Sequence, residues 1–309
     1  MLYSEKTKRS KKVFVFSPKG ESDKLKLSDQ KEGINVVPEI DVSQACDALV
    51  SRLEAAREYR MTLEAQLEKA ERKIMKAEAY QQIMNLMSAH VHCCLNQDYA
   101  EELEHYWSKR DDIVYANGDL AYVGQAAVRN YYVEAAKKRS ETARQQLKAA
   151  GKLVLEGDKI PGYKNMNLIG TPYIEIAEDG QTAQGIWMAH SFMGCADASG
   201  NLKTQGLLSR YSGEFILEEG QWKIWHRRNY ADVVFEENPM GMMGPPPTKD
   251  GKPPKPMVEN SKPTVITKIK AAGGGYSAAS VPSGEPKLPE PYDTWTYETS
   301  NVQKEDVIK

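Results

Sequence analysis

Residues 206–236 read GLLSRYSGEFILEEGQWKIWHRRNYADVVFE. The pattern predicts two strands joined by a tight turn. In the first arm Leu208, Arg210, Ser212, Glu214 and Ile216 share one face, and Leu207, Tyr211, Phe215 and Leu217 share the other, broken by Ser209 and Gly213. Side chains alternate along a strand, so each set faces one way. The turn is Glu218-Glu219-Gly220-Gln221, with glycine supplying the positive φ that a hairpin needs. The second arm is rich in strand formers: Trp222, Ile224, Trp225, Tyr230, Val233 and Val234. Two Trp, a His and two Arg within seven residues are a costly mixture for a plain core strand. One face is expected to pack and the other to line a pocket.

Upstream of the hairpin, Thr171 to Ile176 reads as a strand, Glu178-Asp179-Gly180-Gln181 as a turn, and residues 182–191 as the next strand. On that strand Ala183, Gly185, Trp187 and Ala189 share a face. Pro161-Gly162 interrupts the chain before it. Gly124 opens a helix with Val128, Tyr131, Tyr132, Ala135 and Ala136 inward, whose polar continuation over 137–152 is expected to project. A short strand is expected over 113–116, turned by Asn117-Gly118, after a helix over 100–109.

Further out, a long helix should begin at Asp41, with Asp41 or Ser43 as its N-cap. Leu49, Leu53, Ala56, Arg60, Leu63, Leu67, Ala70, Ile74 and Ala77 step by four and three, which is a heptad seam with one charged interruption. Two readings stand: a coiled coil joining subunits, or a helix packing its seam on its own domain. The helix continues into residues 80–92, where Ile83, Leu86, Met87 and His90 share a face.

The domain organisation that follows is a disordered tail at 1–40, a coiled-coil-like helical extension at 41–78, a folded domain at 79–237, and a Pro/Gly-rich tail at 238–309. Twelve of the 16 prolines lie from Pro239 onward, which marks a tail and not a second domain. Its aromatic segment at 292–297 carries Tyr292, Trp295 and Tyr297 and is expected to dock on the folded domain or a neighbour.

Composition removes several function classes. With 41 basic and 43 acidic residues there is no basic excess for general nucleic-acid binding. No apolar run reaches the length of a membrane span. Cys46, Cys93, Cys94 and Cys195 lack the spacing of a disulfide framework or a metal site; free thiols fit a reducing cytoplasm. No metal-ligand cluster and no phosphate-binding glycine loop is visible, so neither metal nor cofactor is expected.

The run Gly220-x-Trp222-Lys223-Ile224-x-x-x-Arg228, after Tyr211-x-x-x-Phe215, resembles the closing hairpin of the SnoaL-like polyketide cyclase and dehydratase family. The resemblance spans 79–237 and implies an α+β fold of the nuclear transport factor 2 type: a cone-shaped, curved antiparallel sheet packed on helices. It further implies a cofactor-independent lyase or isomerase, of dehydratase or cyclase type, acting on a hydrophobic ring-containing molecule; the expected homo-oligomer rests on the Leu49–Ala77 seam instead. In dehydratase members a Tyr or His on the first domain helix and an Asp about five residues on flank the pocket. His90 fills the first place, whereas Leu95 or Asn96 falls at the second. The family's other His falls on Asn167, counted back from Pro172, so the usual His–Asp pair is expected to be absent. The resemblance makes His90 the base, Tyr115 the acid, and Asn167 with Arg227 the holders of an oxyanion or carboxylate. Trp107, Trp187 and Trp225 are candidates for a ligand-facing wall. The competing reading is a non-catalytic ligand-binding or assembly protein of the same fold.

Overall fold

The computed structural model describes residues 41–118, 120–152, 154, 156–197, 201–236, 265–266 and 286–302. The expectations for 1–40, and for most of 238–309 outside its aromatic segment, lie outside the described residues. Contacts divide the chain into Met1–Met61 and Thr62–Lys309. The described part of the first unit is the opening of helix α1 (Val42–Asn96).

Asp41 caps α1: its Oδ1 accepts the backbone N–H groups of Ser43 at 2.9 Å and Gln44 at 3.2 Å, which satisfies donors a helix start leaves open. α1 runs unbroken to Asn96. Residues 41–74 are exposed. Beyond them Ala79, Ile83, Leu86, Met87, His90 and Cys94 form a buried stripe at helical spacing. The helix stops where Gln97 takes φ 61°. The Gln97 amide ties this corner to Ile160, accepting its N–H at 2.7 Å and donating to its carbonyl at 3.1 Å. The chain then returns as α2 (Tyr99–His105). α2 is shorter than the expected 100–109, because Trp107 leaves the helix to form an isolated bridge with Ile224.

The sheet order is β3 (Lys164–Ile176), β4 (Thr182–Ala196), β5 (Leu202–Glu218), β6 (Gln221–Glu236), β1 (Val114–Asn117), β2 (Leu120–Val123), β7 (Val265–Ile266). It is open at both edges and mixed: β1 and β6 run parallel, and the other pairings are antiparallel. The fold is α+β with the curved sheet of the nuclear transport factor 2 type. The β5–β6 turn has φ 51° at Glu219 and 75° at Gly220, the double positive φ of the tight hairpin turn whose twist suits the strands.

Between β2 and β3 lie α3 (Gln125–Arg129), a π-helical turn (Asn130–Glu134) and α4 (Ala135–Ala149). Contrary to the expectation that the continuation projects, α4 buries Ser140 and Leu147, and Ser140 Oγ donates to the Lys159 carbonyl at 3.0 Å.

The inner face of the sheet, with α1, α2 and the π turn, forms the main apolar core. Gly185 and Gly213 are cross-strand partners on that face. A Cβ at Gly213 would stand 2.7 Å from the Phe215 ring. The two glycines make the dent in which Trp187 and Phe215 meet edge to face at 5.8 Å. No helix among the described residues is long and apolar enough to cross a membrane.

Candidate functional site

The return of α2 across α1 brings Glu102 to His90. Both side chains are fully buried, with His90 Nδ1 2.7 Å from Glu102 Oε1. Trp107 Nε1 donates to the same oxygen at 2.9 Å. Cys94, one helical turn beyond His90, has its Sγ 3.8 Å from His90 Nε2 and 4.0 Å from Glu102 Oε2. The expected absence concerned the usual His–Asp pair; here His90 meets a glutamate instead. Its partner comes from the next helix, 12 residues on, and not from positions 95 or 96.

Charge fixes the roles. Burial and the Arg227 guanidinium lower the His90 pKa below its ordinary 6.5. Burial acts to raise the Glu102 carboxyl, but His90, the Trp107 N–H and Arg227 outweigh it and hold it below 4.5. At neutral pH the pair is a neutral imidazole and a carboxylate. A carboxylate only accepts, so Nδ1 carries the proton and Nε2 keeps its lone pair.

Arg227 stands across from Tyr115 in the β1–β6 register. Its guanidinium lies 4.5 Å from the Tyr211 ring centroid and 5.7 Å from that of Tyr115, and Nη1 donates to Tyr132 Oη at 3.3 Å. Its Nε has no protein partner. Burial works against this charge, yet the oxygens of Tyr132, Tyr211 and Tyr115 raise its pKa and keep it a cation. Burial, with Tyr131 and Tyr132 alongside, drives the Tyr115 phenol well above 10.0, so Tyr115 is a neutral donor. The π turn lets consecutive residues Tyr131 and Tyr132 both reach the Tyr115 ring, at 4.8 and 4.9 Å. Such turns recur at functional sites.

Asn167 Oδ1 accepts from Ser191 Oγ at 2.6 Å and Tyr211 Oη at 2.9 Å, which leaves its amide N–H groups as the donors. Trp107 meets Tyr132 edge on at 5.9 Å. His90, Glu102, Trp107, Tyr132, Arg227, Tyr211 and Asn167 thus form one connected chain of side-chain contacts with Tyr115 beside it. Trp187 shares the inner face but packs on Phe215, its Nε1 without a protein partner.

Trp225 is a correction. The expectation places it on a ligand-facing wall with Trp107 and Trp187. A bulge pairs Glu214 with His226 and Phe215 with Ile224, leaving Trp225 extra. A bulged residue is re-aimed: Trp225 stacks on His226 at 4.3 Å, meets Trp295 at 4.5 Å and donates to Asp112 Oδ1 at 2.9 Å.

The expectation of no metal rested on the absence of a ligand cluster, and that premise is also corrected. One ligand atom each from His90, Cys94 and Glu102 lies within 4.8 Å of the others. The arrangement is that of hydrogen bonds more than coordination. Glu102 Oε1 already accepts two N–H groups, and the Arg227 charge acts on all three side chains.

A surface cleft of about 420 Å³ lies between Gln82–Ala89 of α1, Tyr106 and the β5–β6 turn, and contains none of the seven expected site residues. Glu102, Cys94, Tyr132, Tyr211 and Ser191 are site residues that sequence reasoning missed. A signal existed for Glu102: it sits between Tyr99 and Tyr106 at helical spacing, on the stripe that packs inward.

Residues 75–228 match the family described as SnoaL-like domain, about half of the chain. Among solved structures, the Mycobacterium tuberculosis protein Rv3472, described as of unknown function, shares 19% identity over 50% of this chain and 72% of its own, with TM-score 0.35. The hexachlorocyclohexane dehydrochlorinase LinA-type3 of Novosphingobium barchaimii shares 13% over 55% and 97%, with TM-score 0.37. An NTF2-like protein with a cystatin-like fold from Novosphingobium aromaticivorans shares 20% over 50% and 81%, with TM-score 0.33. No curated protein matches the sequence. The curved sheet with the β5–β6 hairpin at its middle, the first domain helix carrying His90 and the match over 75–228 agree, and the chain belongs to the SnoaL-like family with the nuclear transport factor 2-like fold.

Proposed function

We propose that this protein is a cofactor-independent lyase or isomerase, of dehydratase or cyclase type, acting on a hydrophobic ring-containing small molecule. The observation that carries the reading is the buried His90–Glu102 pair at 2.7 Å beside the Arg227 cation. His90 Nε2 takes a proton from carbon next to a carbonyl or from carbon adjacent to a leaving hydroxyl, and Glu102 holds the imidazolium that forms. Arg227 and the Asn167 amide stabilise the oxyanion, and Tyr115 donates to the departing or re-forming oxygen. Trp107 and Trp187 are the aromatic wall. In place of the His–Asp pair of dehydratase relatives, this chain uses His and Glu. The four free cysteines support a cytoplasmic setting, and neither nucleic acid nor membrane is part of the reading.

The test is proton exchange. The protein is incubated in D₂O with a panel of cyclic ketones and β-hydroxy ketones, and exchange and elimination are followed by NMR. The expected result is turnover that falls about 10²–10⁴-fold in His90→Gln. Equal rates for both proteins, or none above buffer across the panel, overturn it.

One observation favours a second reading, a non-catalytic protein of the same fold. Trp107, Tyr115, Tyr132 and Trp187 are all buried, so the interior is filled by its own side chains and a substrate must displace aromatic rings to reach His90. Tight binding of a ring compound with no chemical change would decide for that reading.

A further inference from the structure

We propose that α1 pairs with α1 of a second copy of this chain as an antiparallel two-stranded coiled coil, centred between Arg60 and Leu63. The inference is independent of the chemistry proposed for the interior.

The surface is an exposed seam. Leu49 is 57% exposed, Leu53 69%, Leu63 45%, Leu67 59% and Ile74 58%. A helix gains most of its stability by burying an apolar face and not from propensity, and this stretch buries none in a single copy. The seam is also out of phase with the stripe that packs into the domain. From Ala77, the last seam position, to Ala79, the first buried one, is about 200° around the helix. Around Ala77 the seam therefore lies on the opposite side of the helix from the residues that pack into the core.

The identities at the seam select the occupant and its direction. In heptad terms Leu53, Arg60, Leu67 and Ile74 hold a positions, and Leu49, Ala56, Leu63 and Ala70 hold d positions. In a parallel, in-register pair each residue meets itself. Arg60 would face Arg60 of the partner subunit, and the Ala56 and Ala70 layers would hold two methyl groups each. In the antiparallel pair a positions meet d positions. Leu53 then faces the partner's Ala70, Leu67 faces the partner's Ala56, Ile74 faces the partner's Leu49, and the Arg60 stem lies along the partner's Leu63. Every large side chain meets a small one or fills a layer, and the two arginines are separated. The two-fold axis makes each contact occur twice, so the interface is closed and self-complementary.

The flanking charges do not discriminate. The antiparallel pair brings Arg57 to the partner's Glu64 but Arg52 to the partner's Lys73. The parallel pair brings Lys73 to the partner's Glu78 but Arg52 to the partner's Arg57. The core layers decide.

Cys46 is exposed and lies on the same seam, seven residues before Leu53. It serves as the probe, spin-labelled in the full chain with Cys93→Ser and Cys195→Ser, while Cys94 is buried. In the antiparallel pair the two labels are 31 residues apart along the axis, about 46 Å at 1.5 Å per residue. In a parallel pair they are less than about 20 Å apart. The expected result is a pulsed-dipolar distance centred near 46 Å that disappears in Leu67→Asp, with light scattering reporting a change from dimer to monomer. A short distance overturns the proposal. So does the absence of any dipolar signal, or a dimer that survives Leu67→Asp.

Discussion

Glu102 is the side chain on which the polar interior depends. It is fully buried and accepts from His90 and Trp107. Glu102→Gln keeps the volume and an acceptor oxygen but removes the charge, so Arg227 loses the anion that acts across the interior. The expected cost is about 1–3 kcal/mol in urea denaturation, together with any proton-exchange activity. A variant as stable and as active as the parent would make Glu102 a bystander. pH dependence separates the two partners. The folded His90 pKa lies below 6.5, so as pH falls through 6.5 the unfolded chain binds a proton that the folded protein does not. Stability is full above 6.5 and declines below it. Glu102 has a folded pKa below 4.5, so its contribution is present above 4.5 and is lost as pH falls through the folded value. His90→Gln should flatten the part of this profile just below pH 6.5 and, because His90 is what chiefly holds Glu102 down, shift the Glu102 part toward higher pH. An unchanged upper part would assign that titration to another group. The pair was half legible in the sequence. His90 stands on an apolar helical stripe, which anyone can count, whereas Glu102 answers it from α2, where helical spacing from Tyr99 marks it as inward but only the fold brings that face to His90.

At the scale of elements, the C-terminal segment 286–302 is fastened to the outer face of the sheet through one carboxylate. Glu214 is buried and accepts from His226 Nδ1 at 2.6 Å, Trp295 Nε1 at 3.0 Å, Ser300 Oγ at 3.0 Å and the Asn301 backbone N–H at 2.7 Å. The Glu178 N–H donates to the Tyr292 carbonyl at 3.0 Å, and Val302 packs with Val114, Ala116 and Ala121. Trp295→Ala removes one of these hydrogen bonds and the contact with Trp225, a loss of about 1.5–3 kcal/mol of burial. The expected outcome is faster proteolysis within 286–302 with an unchanged far-ultraviolet sheet signal. Cleavage of the parent at the variant's rate would mean that the segment is already loose. The β5–β6 hairpin was legible because its alternation and its Gly220 turn are local. The bulge at Trp225 was not, since an extra residue in a ladder has no composition of its own. β2 escaped for a related reason: Leu120–Val123 is four residues long, too short for alternation to register. Its identity comes from pairing with β1.

At the scale of the whole molecule, the seam of α1 and the SnoaL-like domain make separable demands. Met75 packs against the main core, and the Lys76 ammonium reaches Glu178 Oε1 at 2.5 Å, so the helix has tertiary partners from about residue 75 onward. Before that point its residues are exposed. Deleting residues 1–70 therefore removes most of the seam and none of these contacts. A chain that unfolds from a dimer has a transition temperature that rises with protein concentration, by mass action, whereas a monomer does not. The full chain is expected to show that rise. The truncated chain is expected to keep a single cooperative transition and the near-ultraviolet signature of its packed Trp and Tyr residues, with a transition temperature independent of concentration. The two readouts answer different questions. Loss of the near-ultraviolet signal would mean that the domain needs the removed helix to fold. A retained signal with a transition temperature that still rises with concentration would place the subunit interface on the domain and take it away from α1.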